Sequence, residues 1–364
     1  MRKIYIITRH SIVNHGSILQ AMATIVFFRK NGFEPFIIDY VNKKEKFPRI
    51  VFESLKANKS WNKNFIKKII YILVKFPSML FANIRFKKYR KHNLRLTKRF
   101  YKLDNFKVEQ NAILCSGSDQ LWGPIIDGKI DDNYMLSFSK QNIKIAFASS
   151  IGRNIKLSDK ECNYLKMYKF ISTREKSSCD YLKSIGVYNT FNILDPTLMI
   201  ERKYWLDFIS KTKVTPKEYI LVYKLHESNE FEKYIKKISK MYNMPVIRMT
   251  NSFDDILLYG NIKNSVTPQK FLKYIESAKY ILTDSFHCTV FSTIFHKKFI
   301  AVNPGKTSLR ISEYLQELGI DNHLISSFDD CTTIKDVIDY NAIDDKLDML
   351  RSEHCDLILK GLRD

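Results

Sequence analysis

The chain has 364 residues, 45% of them hydrophobic, and this composition excludes an intrinsically disordered protein. The length exceeds what one ordinary hydrophobic core requires and predicts two domains. Sixty Lys and Arg against 38 Asp and Glu give a formal net charge of +22, which predicts attraction to an anionic partner such as nucleic acid, acidic lipid or a phosphorylated substrate.

Predicted strands and helices alternate in the first half of the sequence. The helical patterns cover residues 16–31, 160–168 and 175–184. We expect no signal peptide, because the opening apolar run extends only from Ile4 to Ile7 and is typical of a first strand. The strand patterns, rich in β-branched and aromatic residues, are KIYIIT, EPFIIDY, NAILCSG, IKIAFASS, FIST and TFNILDP.

A basic segment, residues 61–100, separates the second strand pattern from the third. It contains twelve Lys and Arg and no Asp or Glu. Its apolar residues alternate with the bases at roughly helical spacing, with an interruption expected near Pro77. A basic amphipathic helix is typical of a membrane-surface element, and the alternative is a helical excursion that packs its apolar face on its own domain. No apolar stretch is long enough to predict a membrane span.

The second half of the sequence repeats the alternation, so the pattern predicts parallel sheets of the doubly wound kind. We predict an α/β fold of two Rossmann-like domains facing a cleft, with domain limits at 1–195 and 196–335. Residues 336–364 are expected to form a helix that packs back on the first domain. The strand patterns are YILVYK, MPVIRMT, KYILTDS and KKFIAVN, and the helical patterns are 230–241, 268–277, 288–295, 309–318 and 344–362.

Polar residues follow four of the predicted strands, where ligands bind in sheets of this kind. Each segment alone is equally typical of a helix N-cap, so their common placement is the stronger signal. The segments are SIVNHGSILQ with Asn14 and His15, CSGSDQLWGP with Asp119 and Gln120, STREKSS with Arg174, and YILTDSFHCTVFSTIF with Ser285, Phe286 and His287.

Several familiar motifs do not occur in the sequence. The absence of GxGxxG, a Walker A lysine motif, HExxH and GxSxG argues against a routine dehydrogenase, NTPase, metalloprotease or α/β-hydrolase. A sugar-nucleotide enzyme is not excluded. The six cysteines include no CxxC pair and no zinc-finger spacing with histidine, so we expect reduced thiols in a cytoplasmic protein and no structural zinc.

Five segments, in this order, resemble the polysaccharide pyruvyl transferase family. The resemblance extends from NHGSILQAMA to SLRISEYLQELGI and leaves out residues 61–100 and the C-terminal tail. It implies a GT-B-like fold and the transfer of a pyruvyl group from phosphoenolpyruvate to a sugar, as a cyclic ketal, without a metal or cofactor. The segments are CSGSDQLWGP, IAFASSIG, STREKSSCDYLKSIGV, NILDPTL and FLKYIESAKYILTDSFHCTVFSTIFHKKFIAV.

The resemblance also implies roles on the donor side. His287 matches the family's histidine that contacts and protonates the donor; the alternative is a histidine at a helix start. Arg174 matches a donor-anchoring arginine, and a salt bridge with Glu175 is the alternative. Lys306 matches a basic residue beside the donor, and Arg310 is a second candidate for the phosphate. Ser285 and Phe286 complete this side.

Ser285 stands where several family members have an arginine, so the donor phosphate must be held by Arg174, Lys306, Arg310 or backbone amides. On the acceptor side, Asp119 is a candidate for orienting or deprotonating the acceptor hydroxyl. The alternative is that Ser118 and Asp119 cap the next helix. The remaining acceptor candidates are Asn14, His15 and Gln120.

We therefore expect a pyruvyl transferase whose acceptor is a lipid-pyrophosphate-linked oligosaccharide, a surface-polysaccharide precursor at the inner face of the cytoplasmic membrane. The segment 61–100 would contact anionic lipid, and no nucleic acid is expected. One alternative is a GT-B glycosyltransferase that uses a nucleotide sugar. The other is a non-enzymatic basic protein that binds membrane or nucleic acid.

Overall fold

Two parallel sheets, with six strands each in the described part of the chain, organise the fold. The computed structural model describes residues 1–58, 60–152, 155–215, 218–303, 309–329 and 331–363. Contacts divide the chain into two compact units. The first consists of Met1–Ile200 and Leu350–Asp364, and the second is Glu201–Met349. The predicted domain limits at residues 195 and 335 differ from these limits.

The first unit is a sheet of parallel strands in the order β2-β1-β3-β4-β5-β6. Its strands are β1 (Arg2–Ile7), β2 (Phe33–Ile37), β3 (Ile113–Ser116), β4 (Ile143–Ser149), β5 (Phe170–Thr173) and β6 (Thr190–Asn192). β3 and β5 are buried along their whole length, as strands covered on both faces must be. The helices are α1 (His15–Lys30), α2 (Arg49–Ala57), α3 (Phe65–Asn93), α4 (Asp159–Lys166) and α5 (Lys176–Ser184), with a 3-10 turn at Asp132–Met135.

α3 is the basic segment of the sequence, and it corrects one expectation. The helix continues through Pro77 instead of being interrupted there. Proline removes the hydrogen bond to the carbonyl four residues earlier, that of Leu73. Both Pro77 and Leu73 are exposed, so solvent can bond to that carbonyl. One face of α3 packs on α2 through Val51, Leu55 and Tyr71.

The second unit is a sheet in the order β12-β11-β10-β7-β8-β9, again with parallel neighbours. Its strands are β7 (Ile220–Tyr223), β8 (Val246–Thr250), β9 (Asn261–Asn264), β10 (Tyr280–Thr283), β11 (Lys298–Val302) and β12 (Leu324–Ile325). The helices are α6 (Arg202–Ile209), α7 (Asn229–Met241), α8 (Pro268–Ser277), α9 (Phe286–Ile294), α10 (Leu309–Leu318) and α11 (Tyr340–Arg363), with 3-10 turns at Phe253–Leu257, Asp321–His323 and Thr333–Lys335.

The end of α11 belongs to the first unit, where it contacts the chain that follows β6. The His354 ring accepts a hydrogen bond at Nδ1 from the Leu194 amide at 3.1 Å. Arg351 Nε donates to the Leu198 carbonyl at 2.6 Å. Gly361 lies so close to Phe170 that an added Cβ would stand 2.8 Å from its ring. None of the described helices is both long and apolar enough to cross a membrane.

Each sheet has one point where the strand order reverses. In the first sheet the chain runs from β1 to β2 and then crosses to β3 on the other side of β1. In the second, β7 leads to β8 and β9 before the chain returns to β10. Loops diverge at such switch points and leave a crevice at the carboxyl ends of the strands, where ligands of doubly wound sheets bind. These two positions are therefore where the candidate residues should lie.

Candidate active site

Asp119 lies at the switch point of the first sheet, in the loop that follows β3. Its carboxylate accepts hydrogen bonds from Ser17 Oγ at 2.5 Å and from the Gln120 amide at 2.9 Å. Its backbone has φ of 90°, a conformation that Asp tolerates better than most residues. Residues 120–131 contain no helix, so the expectation that Ser118 and Asp119 cap a following helix is wrong. The bond to Ser17 instead ties the loop after β3 to the first turn of α1.

The other acceptor candidates differ in exposure. Asn14 caps α1, and its side chain accepts from the Ser17 amide at 3.2 Å. His15 is fully buried, with its ring 5.0 Å from that of Phe86 on α3. Gln120 packs against Gly152, where φ is 88° and an added Cβ would lie 2.5 Å from Gln120 Nε2. Asn14 and Gln120 are partly exposed, whereas His15 contributes to packing.

Arg174, after β5, is surrounded by acids. Its Nε donates to Glu175 Oε1 at 2.8 Å, and its Nη1 donates to Asp195 Oδ2 at 3.1 Å. Nη2 stands 3.9 Å from Asp119 Oδ1, and the side chain is 1% exposed. Burial alone would lower the pKa of this guanidinium, but Glu175, Asp195 and Asp119 hold the pKa above its ordinary value. The arrangement includes the salt bridge with Glu175 that the sequence analysis gave as the alternative to donor binding. It also holds the loops after β3, β5 and β6 together.

Asp284 occupies the switch point of the second sheet, directly after β10. Its carboxylate accepts hydrogen bonds from the amides of Leu225 at 2.7 Å and His226 at 2.9 Å, both in the loop after β7. His226 Nδ1 also lies 3.0 Å from Asp284 Oδ2. Asp284 thus joins the two loops that flank the crevice. It also orients His226, a partly exposed residue that the sequence analysis did not single out.

The predicted helix 288–295 begins two residues earlier, at Phe286. Ser285 is its N-cap and accepts from the Cys288 amide at 3.5 Å, while its own amide donates to Thr283 Oγ1 at 3.0 Å. His287 therefore lies in the first turn of α9 and not ahead of it. His287 is buried, with 8% of the residue exposed. A helix N-terminus is favourable for anions because of the helix dipole.

Phe286 adjoins His287, and Arg310 in turn lies against Phe286. The rings of Phe286 and His287 are 5.3 Å apart. The Arg310 guanidinium, on the first turn of α10, lies 5.8 Å from the centre of the Phe286 ring. Four of the donor candidates are thus within one cluster at the N-terminus of α9, and Arg174 is in the other unit. Lys306 lies outside the described residues.

The described side chains of His, Cys, Asp and Glu include no group of three that could hold a metal ion. The residues that sequence reasoning missed are His226 and the set around Asp39, described below. No motif marks them, because each becomes noticeable only through a partner from a different loop. Asp284 and His226, for instance, are 58 residues apart in the chain.

The sequence matches the family model for polysaccharide pyruvyl transferase over residues 14–306. The chain belongs to the polysaccharide pyruvyl transferase family. The matched range includes every predicted site residue except Arg310. A search of curated proteins finds no significant match to this pyruvyl transferase family member.

Solved structures that resemble this pyruvyl transferase family member include UDP-N-acetylglucosamine 2-epimerases. The enzyme from Neisseria meningitidis, solved with UDP-GlcNAc bound, is 10% identical with a TM-score of 0.53, covering 100% of this chain and 99% of that one. The enzyme from Rickettsia bellii is 14% identical with a TM-score of 0.51, covering 99% and 96%. At such identity the similarity shows the fold alone. The predicted α/β class, with two parallel sheets of GT-B-like type, is confirmed; the predicted cleft between the domains stays a prediction.

Proposed function

We propose that the protein transfers the pyruvyl group of phosphoenolpyruvate to a sugar of a lipid-linked polysaccharide precursor, forming a cyclic ketal. The observation that carries the proposal is the position of His287, in the first turn of α9 at the switch point of the second sheet. The family match supports the reaction class. The helix start and the nearby Arg310 supply donors and positive charge for a phosphate and a carboxylate.

In the proposed reaction one proton is added to carbon and two protons are lost from sugar hydroxyls. His287 donates a proton to the methylene carbon of phosphoenolpyruvate, which leaves a positively charged centre at the adjacent carbon. A sugar hydroxyl forms a bond to that carbon and loses its proton, and phosphate departs with the electrons of its carbon–oxygen bond. A second hydroxyl of the sugar then closes the ketal and releases its proton. Asp119, held by Ser17, is the proposed acceptor for a hydroxyl proton in the first unit.

A direct test uses the purified protein, phosphoenolpyruvate and a lipid-linked glycan. We expect phosphoenolpyruvate to raise the unfolding temperature, because a ligand that binds only the folded state stabilises it. We also expect phosphate release together with a glycan mass increase of one pyruvyl ketal. Stabilisation by a nucleotide sugar but not by phosphoenolpyruvate would instead indicate a glycosyltransferase and contradict the proposal.

α3 supports the membrane part of this function. Ile66, Ile69, Leu73, Leu80 and Ile84 repeat at intervals of three to seven residues, so they share one side of the helix. All five are exposed, with Ile66 70% and Leu73 67% accessible. An apolar stripe of this kind, on a surface helix that carries lysines and arginines but no Asp or Glu, fits an anionic lipid bilayer.

We expect the double change Ile66→Glu and Leu73→Glu to weaken sedimentation with phosphatidylglycerol vesicles by at least about tenfold, because each change replaces lipid contact with a charge. Binding of the unaltered protein should also fall as salt rises, since each base near the surface contributes about 1 kcal/mol. Leu257→Glu is the matched control, because Leu257 is 93% exposed in the second unit. Equal binding by both altered proteins would refute the role of α3.

A further inference from the structure

Arg90 lies near the C-terminus of α3 and is only 3% exposed. Its position is fixed by the helix around it: Phe86, one turn earlier, packs on His15, and Tyr89 Oη donates to Met22 Sδ at 3.8 Å. Arg90 Nε and Nη1 are buried and make no hydrogen bond with the described residues. A buried guanidinium without acceptors is costly, since buried charges ordinarily occur paired and hydrogen-bonded.

The carboxylate that acts electrostatically on Arg90, that of Asp39, is hydrogen-bonded to other residues. Asp39 Oδ1 accepts from His10 Nε2 at 3.1 Å and from Arg99 Nη2 at 3.1 Å. Oδ2 accepts from Arg99 Nε at 2.9 Å. The Asp39 amide donates to Thr97 Oγ1 at 3.0 Å, which holds the backbone in place as well. Asp39 therefore neutralises Arg99, and it makes no hydrogen bond to Arg90 Nε or Nη1.

The charges around Arg90 are unbalanced. Burial first, and then the neighbouring Arg99, lower the pKa of Arg90 to about 10, while Asp39 acts in the opposite direction. At that pKa the guanidinium is still positive at neutral pH. Two arginines thus share one carboxylate, at the carboxyl ends of β1 and β2, beside the switch point of the first sheet. An anion would supply the acceptors that Arg90 lacks.

We propose that Arg90, together with Arg99, forms a binding site for the phosphate or diphosphate of a phosphate ester. The fork of a guanidinium matches two oxygens of a phosphate. A single carboxylate or a water molecule does not neutralise two arginines, whereas a phosphate does. The proposal rests on the proposed function in one respect only: the bound group is taken to be the diphosphate of a lipid-linked acceptor. α3 then has two parts: an exposed apolar stripe for the bilayer, and a buried arginine for the diphosphate that joins lipid to sugar.

The first experiment measures unfolding temperature with inorganic pyrophosphate, at ionic strength matched with sodium chloride. We expect a saturable rise for the unaltered protein and at least tenfold weaker binding for Arg90→Met. In the absence of pyrophosphate, Arg90→Met should unfold at the same or a higher temperature, because it removes a buried cation that lacks acceptors. Arg85→Met, at an exposed position on the same helix, should keep the full pyrophosphate effect.

The second experiment identifies the source of the phosphate. Vesicles of phosphatidylcholine with a polyprenyl diphosphate should bind Arg90→Met at least tenfold more weakly than the unaltered protein. Phosphatidylglycerol vesicles should bind both equally, since the stripe of α3 is unchanged. A loss confined to phosphatidylglycerol would show that Arg90 contacts lipid headgroups and would overturn the diphosphate assignment.

Failure of this site and failure of the proposed function give different results. If pyrophosphate does not stabilise the unaltered protein, the site is refuted whatever phosphoenolpyruvate does, and this result does not depend on how well any variant folds. If pyrophosphate binds through Arg90 but phosphoenolpyruvate is inert, the site stands and the transferase reaction falls. Stabilisation by phosphoenolpyruvate should be the same in Arg90→Met and in the unaltered protein. Arg90→Met could lose stabilisation by both pyrophosphate and phosphoenolpyruvate. If Arg90→Lys then regains stabilisation by phosphoenolpyruvate alone, the result still supports the site.

Discussion

Replacing His287 with alanine is expected to slow phosphate release from phosphoenolpyruvate by about 10²- to 10⁴-fold, the usual contribution of a general acid. Protonation of a carbon is the difficult step in this reaction, because the proton must come from a group that is positioned and acidic near neutral pH. His287 follows the N-cap Ser285 and adjoins Phe286, so its ring is held at the start of α9. The measurement is phosphate release under single-turnover conditions.

Two controls separate this role from a structural one. His296→Asn changes a histidine just after the other end of α9, which lies within hydrogen-bond distance of Asp344, and should leave phosphate release within a few-fold of the original. Stabilisation by phosphoenolpyruvate should survive in His287→Ala, since Arg310 and the helix start are retained. Phosphate release by His287→Ala at the original rate would contradict the assignment. Loss of both binding and release would place His287 in donor binding instead.

Replacing Arg174 with methionine is expected to reduce the free energy of unfolding of the first unit by about 3–5 kcal/mol. The change leaves Glu175, Asp195 and Asp119 buried or half-buried around an apolar side chain, and buried carboxylates without a counter-charge are unfavourable. Because the loops after β3, β5 and β6 meet at this guanidinium, the loss should affect the whole edge of the sheet.

Unfolding of the first unit must be measured separately from unfolding of the second. Trp122 is buried in the first unit and Trp205 in the second, so urea unfolding followed by fluorescence in a Trp205→Phe background reports on the first unit. Arg29→Met, at an exposed position of α1, should change stability by no more than about 0.5 kcal/mol. A loss below about 1 kcal/mol for Arg174→Met, combined with loss of stabilisation by phosphoenolpyruvate, would show instead that Arg174 is a donor anchor.

The local sequence was a good guide to the elements and a poor guide to partners. Helices α8 and α10 have the predicted limits, because Thr267 and Pro268 form a strong helix start and Gly319 follows the last turn of α10. α2, α6, β9 and β12 were not predicted. β9 is partly exposed at the edge of its sheet and lacks the apolar run by which the buried strands were found.

For the candidate residues, too, the sequence predicted positions but not partners. The sequence placed His287 and Asp119 after strands, and the structure has both at switch points. It gave no sign that Ser17 would bond to Asp119, since 102 residues separate them. The helix-cap alternative for Asp119 failed for a related reason: a short polar residue after a strand suits a cap or a loop equally, and only the path of the following chain decides between them.

The sequence by itself determined that this protein alternates strands with helices, carries a helix of bases and apolar residues without acids, and belongs to its family. Those properties follow from periodicity, composition and ordered motifs, which are local. Only the tertiary structure decided that Arg174 lies among three carboxylates, that α3 runs through Pro77 with its apolar stripe exposed, and that Arg90 is buried beside Arg99. Burial and pairing depend on residues from distant strands that meet at one sheet edge, and no short stretch of sequence specifies them.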